Sequence, residues 1–338
     1  MIDPTTRLIP DSAGSDAAVL CPARDLGVLW FDGADAQAFL QGQLSSDVAA
    51  LPAGASQRSS YNSPIGRMLA SLRLWRDQDA TSGHAYGALL AADLAAPIAK
   101  RLSMFVLRSR VDVADATAAH TMLGLAGPRA VEAIADAFGA TPDANGVVTI
   151  AGGTSRLIRL PDDRFLIVAM AEAEGDIRRA FGTRVVAGDA ELWRWTSICA
   201  GVPLVTSATS DRFVPQMLNW DALHGISFQK GCYPGQEIVA RTRYLGRLKE
   251  RLYAFHLDPS SVPDAGTRVF SPAFGDQPCG TIINAARAPD GSVALLAVVQ
   301  IAAVESGVVS LAALDGPALR SVALPYSIAP TEPPRRSA

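Results

Sequence analysis

No C-x-x-C pair, no H-x-x-x-H spacing and no G-x-G-x-x-G or G-x-x-x-x-G-K-[ST] run occurs in this sequence, and each gap removes a class of protein. The four cysteines (Cys21, Cys199, Cys232, Cys279) lie far apart, which fits neither a disulfide framework nor a zinc site. They form no four-thiolate set for a permanent iron–sulfur cluster either. The four histidines are equally scattered, so the expectation is that no metal is held. Without a glycine-rich phosphate loop or a regular βαβα alternation, the nucleotide-binding parallel-sheet folds lose ground. No apolar run approaches the roughly 18 residues that span a bilayer. Residues Met1–Thr6 lack the basic-then-apolar pattern of a signal peptide, so a reducing cytoplasm is expected. With 30 Lys and Arg against 33 Asp and Glu, the net charge of -3 gives no global case for direct nucleic-acid binding. A local basic patch remains open.

What is present is a folded chain. At 338 residues, 49% hydrophobic and 19% charged, it exceeds one ordinary core and predicts two or three domains. Residues 1–24 read as an irregular lead-in. Leu26–Phe31 suits a buried strand, after which Asp32 is expected to cap a helix carrying Ala36, Phe39, Leu40 and Leu44 on one face. Gln41 and Gln43 fall off that stripe and are expected to be solvated. Gln57–Asn62 and Arg67–Trp75 predict two strands around the turn Ser63–Gly66. His84–Ala92 predicts a strand, Asp93–Leu102 a helix, Phe105–Val113 an alternating strand and His120–Ala126 another. Gly127-Pro128 opens a helix to Phe138. Arg156–Leu160 and Phe165–Ala169 form a hairpin, followed by helices at 172–182 and 189–199. From 246 the pattern changes to six short strand-like runs between Gly, Pro and Asp turns, the signature of a sandwich or barrel. The expected division is 1–245, 246–328 and a disordered tail at 329–338, in an α+β fold.

One stretch concentrates polar chemistry. Lys230-Gly231-Cys232-Tyr233-Pro234-Gly235-Gln236-Glu237 places an amine, a thiol, a phenol, an amide and a carboxylate on a backbone bent by glycine and proline. Pro234 suits the first turn of a helix running to Tyr244. A cysteine just upstream of that helix and two residues from an ammonium has reason to titrate low. The competing reading is an inert, buried cysteine. Gln236 and Glu237 either serve the helix start or bind the donor-rich edge of a heterocycle such as a pterin. Arg241, Arg243, Arg247, Lys249 and Arg251 form a cationic run, either a solvated face or a hold for a polyanionic ligand tail or an RNA-processing partner. Trp193 and Trp195 point to different helix faces. One is expected in the core, and the other is placed to stack on a flat ligand. Cys21, Cys279 and the histidines read as structural.

The run Asn219…Gly225-Ile226-Ser227-Phe228-Gln229-Lys230-Gly231-Cys232-Tyr233-Pro234-Gly235-Gln236-Glu237…Ala240-Arg241 resembles the signature of the YgfZ-type folate-binding proteins. Gly33-Ala34-Asp35, Leu40–Gln43, Asn62–Arg67 and Ala200–Pro203 agree, so the likeness spans about 26 to 325. It implies two interleaved aminomethyltransferase-like subdomains around a tetrahydrofolate cavity, with a C-terminal antiparallel β-barrel. It implies a role in assembling or repairing iron–sulfur enzymes, with a radical tRNA methylthiotransferase among the client partners. By that resemblance Cys232 would be the functional thiol, with Lys230 and Tyr233 beside it at the cavity's edge, and Trp193 would match a folate-contacting tryptophan. Gln236, Glu237 and Arg241 are the further candidates for folate binding, Glu237 with the helix-start reading still beside it. Two departures bear on this. Leu26 stands where some members carry a tryptophan, and Cys199 stands where aminomethyltransferases grip the pterin with a glutamate. A thiol lacks a carboxylate's two acceptor oxygens, which counts against aminomethyl transfer. The rival expectations are a tetrahydrofolate-dependent one-carbon transferase and a non-catalytic scaffold that recruits partners.

Overall fold

The computed structural model describes residues 17–78, 85–244, 248–259 and 261–328. Residues 1–16 of the expected irregular lead-in, His84, the boundary at 246, Arg247 and the tail at 329–338 lie outside the described residues. Within the rest of that lead-in Ala18–Pro22 is a strand, paired on both sides in a sheet, rather than irregular chain. In chain order, β1 (Ala18–Pro22) and β2 (Leu26–Asp32) lead to α1 (Ala36–Gln43). Then come β3 (Ala55–Asn62), β4 (Met68–Arg76), β5 (Tyr86–Ala91), α2 (Ala92–Ser103), β6 (Asp112–Asp115), β7 (His120–Ala126) and α3 (Ala130–Phe138). β8 (Val147–Ile150), β9 (Ser155–Arg159) and β10 (Phe165–Met170) precede α4 (Glu174–Phe181), β11 (Val185–Ala187) and α5 (Ala190–Cys199). A long stretch of turns reaches α6 (Gln236–Tyr244). The chain then forms β12 (Glu250–Leu257), β13 (Arg268–Phe270), β14 (Pro278–Arg287), β15 (Val293–Gln300), α7 (Ile301–Glu305), β16 (Ser310–Leu311) and β17 (Arg320–Val322).

The chain interleaves between two compact units, passing from one to the other within β3 and again within β4. The first takes residues up to 41, 47–58 and 72–196. Its six-stranded sheet runs β11-β1-β7-β10-β9-β8, with β1 and β11 parallel and the other pairs antiparallel. One face of that sheet, through Leu20, Leu123, Leu125, Phe165 and Ile167, packs on Ile134 of α3 and Ile177 of α4. A second sheet, β3-β4-β5-β2-β6, contributes Trp30 and Trp75, whose rings meet edge to face at 5.2 Å. Gly87 makes room for the Trp75 ring. The Arg156 guanidinium lies over Trp30 and pairs with buried Asp77 at 2.7 Å.

The second unit takes residues 42–46, 59–71 and 197 onward. Its sheet, β16-β13-β14-β15-β12-β17, is wholly antiparallel and curls as a half-barrel. Register shifts at Val269/Phe270 and Ile282/Asn284 mark where extra residues bend the strands, as bulges do. Phe255, Val269, Ile282, Leu295 and Val299 pack together as the core of the half-barrel. The fold is therefore mixed α and β with an antiparallel C-terminal half-barrel.

Several local expectations are corrected. Asp32 ends β2 and accepts the Ala85 N–H, and α1 begins at Ala36, after Gly33, whose φ of 110° lets the chain turn. Gln41 is not simply solvated, because it donates to Asp47 and accepts the Val48 N–H at 2.7 Å, and Gln43 is half-buried. The strand expected at Phe105–Val113 starts only at Asp112. Tight turns continue α2 from Leu102 to Ser109 and satisfy the backbone locally, leaving Leu107 87% exposed at φ 46°. Trp193 and Trp195 are both buried, so neither offers an open face. Arg251, counted with the cationic run, is buried on β12 and paired with Asp221 at 3.0 Å.

Candidate functional site

The Lys230–Glu237 stretch belongs to the second unit and rests on a bed of serines. Ser45 donates through Oγ to the Gly225 carbonyl at 2.6 Å, and its own carbonyl accepts the Ser227 N–H at 2.8 Å. Ser60 of β3 donates to Ser45, and Ser46 donates to Ser59, each at 2.8 Å. All four serines are buried, so each hydroxyl answers another polar group that would otherwise be stranded. Strand β3 thereby fixes where the signature loop begins.

Lys230 then turns inward. Its Nζ donates to the carbonyls of Leu44 at 2.6 Å and Ser46 at 3.0 Å, and lies 5.3 Å from the centre of the Tyr233 ring. Tyr233 is buried, and burial pushes its phenol up to about 12. It stays neutral at physiological pH and offers a proton donor. Gly235, at φ 77°, backs onto the turn between β3 and β4. A methyl group there would sit 2.5 Å from the Ser63 carbonyl and 2.6 Å from Gly66 Cα. Ser63 is in turn held by Asp211 at 2.7 Å.

α6 starts at Gln236 and runs to Tyr244 as the composition predicts. Val239 anchors its underside, where the Val239 carbonyl accepts from buried Gln216 at 2.6 Å. Cys232 is thus left exposed on a short arc, with Lys230 and Tyr233 holding one end and Gly235 the other. Gln236 is half-buried, while Glu237 and Arg241 are exposed. Glu237 occupies the first turn, where the helix dipole favours a carboxylate. At the far end, the Arg243 guanidinium stacks 4.2 Å from the Phe228 ring, and Phe228 meets Tyr244 edge to face.

Trp193 belongs to the first unit. The backbone of Gly124 lies against its ring, and the Arg164 guanidinium sits 5.1 Å from its centre. Arg164 also donates to Thr196 at 2.9 Å and pairs with Asp162 at 2.8 Å. Burial alone would raise the Asp162 carboxyl, but Arg164 outweighs it and holds the group below the ordinary carboxylate range. The structure thus gathers Lys230, Cys232, Tyr233, Gln236, Glu237 and Arg241 on one loop and helix. Trp193 belongs to the first unit.

Sequence reading missed the serine bed, and it placed Asn219 in the signature without giving it a role. Asn219 accepts from Arg251 at 2.9 Å and donates to the Leu252 carbonyl at 3.0 Å, tying the approach to the loop onto β12. The available signal was the two serine pairs, Ser45-Ser46 and Ser59-Ser60.

The architecture is that of an aminomethyltransferase-like protein. Glycine cleavage system aminomethyltransferase T from Bartonella henselae superposes with a TM-score of 0.73 over 92% of this chain and 86% of that one, at 19% identity. No protein-family model matches the chain. Among curated proteins, the tRNA-modifying protein YgfZ of Serratia proteamaculans is 32% identical over 286 residues, 84% of either chain. That of an Enterobacter species is 33% identical over 307 residues, covering 90% of this chain and 92% of its own. The chain belongs to the YgfZ family. Among the described residues, no helix is long and apolar enough to cross a membrane. Around Trp193 the Arg164 guanidinium lies over the indole ring and is paired with Asp162, so the ring itself is enclosed within the first unit.

Proposed function

We propose that this protein is a folate-binding tRNA-modification factor, with Cys232 as its functional thiol. The observation that carries the reading is an exposed thiol on a restrained backbone, between the Lys230 anchor and the Gly235 seat. A cysteine kept outside on such a frame is positioned to meet a partner molecule. The relatives' name supports the tRNA side, and the aminomethyltransferase-like fold supports the folate side. In finer terms, the protein supports assembly or repair of iron–sulfur enzymes, including the radical enzyme that methylthiolates tRNA. The client docks over Cys232, and the cytoplasm is its place of work. A bound tetrahydrofolate supplies one-carbon chemistry. The chain's own groups orient the loop through Lys230, keep a neutral phenol at Tyr233 and present the sulfur of Cys232.

The test is complementation. Cys232→Ala should fold yet fail to restore tRNA methylthiolation in a strain lacking the protein, and full rescue would remove the thiol from the mechanism. Tryptophan fluorescence titrated with tetrahydrofolate tests the ligand; a flat response at high ligand favours the scaffold reading. One-carbon transfer is the enzymatic alternative, favoured by the shared fold and opposed by Cys199 at the end of α5. Methylene-tetrahydrofolate formed from a methylamine-loaded carrier would decide for it.

A further inference from the structure

The turns that follow α2 expose what a folded chain ordinarily hides. Leu107 is 87% exposed, Met104 60% and Phe105 45%, so one short knuckle carries three large apolar side chains into solvent. Leu107 also holds φ at 46°, a left-handed backbone that a leucine strains to adopt and that glycine or asparagine takes readily. Neither the backbone nor the core gains from a leucine there. The knuckle is nevertheless rigidly built. The Phe105 N–H donates to the Leu102 carbonyl at 2.9 Å, and the Ser109 N–H to the Val106 carbonyl at 2.8 Å. Its far end is fastened to the start of α1. The Arg110 N–H donates to Asp35 Oδ2 at 2.8 Å, and the Asp35 N–H donates to the Arg110 carbonyl at 3.3 Å. Gly33 backs onto that same carbonyl, where a Cβ would collide.

Charge on this segment has one sign. Between Asp93 and Asp112 the sequence carries Lys100, Arg101, Arg108 and Arg110 and no acidic residue, in a chain whose net charge is -3. Asp35 engages Arg110, but among the described residues Lys100, Arg101 and Arg108 have no hydrogen-bond or ion-pair partner. Met104 keeps helical backbone at the end of α2, so Lys100 and Arg101, four and three residues before it, flank it on one side of the helix. Arg108 adjoins Leu107. The apolar tip is therefore bracketed by uncommitted cations.

We infer that residues 100–108 dock a partner protein, with Met104, Phe105 and Leu107 entering an apolar pocket and Lys100, Arg101 and Arg108 meeting carboxylates on its rim. An exposed apolar patch rimmed by charge marks an interaction surface, and methionine, phenylalanine and arginine are residue types that protein interfaces concentrate. Single-stranded RNA is held on aromatic faces, whereas the two most exposed groups here are aliphatic. A bilayer surface takes an apolar tip without needing a fixed backbone, whereas this one is hydrogen-bonded in advance, which spares ordering entropy on association. Resting on the client reading above, the inference names the partner as the iron–sulfur client enzyme.

The experiment measures binding of the purified radical tRNA methylthiotransferase to the full chain by biolayer interferometry. The wild type should bind. Leu107→Asn suits the left-handed backbone but removes the apolar tip, and it should weaken binding by about tenfold or more, as should Arg108→Glu. Raising salt from about 0.05 to about 0.5 M should weaken the wild type more than Arg108→Gln. Equal affinity of wild type and Leu107→Asn would overturn the knuckle and leave the client reading standing. If the enzyme does not bind the wild type, both fall. Unchanged affinity in Arg108→Glu would overturn the carboxylate rim. Leu107→Asn should not lower the Tm of the protein alone, because the leucine side chain is open to solvent; a lowered Tm would show that it packs within the chain and would overturn the docking role. Binding of a transcribed tRNA, or of phosphatidylglycerol vesicles, that Leu107→Asn weakens in the same way would overturn the assignment to a protein in favour of RNA or a membrane.

Discussion

Cys21 and Cys232 carry the same side chain in opposite surroundings. Burial, aided by Asp189, pushes the Cys21 thiol up to about 12, whereas Cys232 stands exposed. Iodoacetamide at pH 8 should therefore alkylate Cys232 in the native protein. Cys21 and Cys279 should react only after denaturation, as read by peptide mass spectrometry; native labelling of Cys21 would contradict the packing of β1. Removing the exposed sulfur in Cys232→Ala should change stability by no more than about 0.5 kcal/mol. Tyr233 gives a pH signature. Its folded value of about 12 lies above the ordinary phenol value of 10.0, so its contribution is complete below pH 10 and is lost as pH rises towards 12. The loss is on the order of 2–3 kcal/mol. Urea midpoints between pH 9 and 12 should fall less steeply in Tyr233→Phe than in the wild type, and parallel curves would refute the burial of this phenol.

At the scale of the loop and helix, two glycines separate backbone need from mere permissiveness. Gly235→Ala combines a positive φ with a collision against the backbone of Ser63 and Gly66. It should cost about 2 kcal/mol or more and move the start of α6. Gly231→Ala meets nothing within 4 Å and should be silent. Urea denaturation of the pair is the check, and equal effects would mean that the turn does not seat the loop. Lys230→Met removes a charge-assisted donor from two carbonyls. Discounted for partial exposure, the change should cost about 1–3 kcal/mol and impair complementation even with Cys232 intact.

For the molecule as a whole, Arg251 carries the largest expected effect. It is buried and reaches Asn219 and Asp221 from β12, so the loop's approach and the half-barrel share one ion pair. Arg251→Met should cost about 3–5 kcal/mol by leaving Asp221 with its partner gone, and adding Asp221→Leu should restore part of the loss. Thermal unfolding of the single and double variants checks this, and strict additivity would show that the two residues are not coupled.

Much of this was legible in the chain. α6, β7, the Ser63–Gly66 turn and the 156–169 hairpin follow from local rules: a proline before a helix, glycine at positive φ, and apolar alternation along strands. The signature at Lys230–Glu237 stood out because its polar groups are contiguous. Phe105–Leu107 was misread because apolar alternation cannot distinguish a strand from turns whose hydrogen bonds close locally. The sequence by itself determined the punctuated elements and the chemistry of the loop, since both depend on neighbours a few residues apart. Only the tertiary structure decided that Lys230 is an anchor, that Ser45, Ser46, Ser59 and Ser60 form one bed and that Arg251 is buried. Those outcomes depend on which carbonyls, hydroxyls and charges are brought together across roughly 15 to 190 positions of chain, and desolvation at that range leaves no local mark.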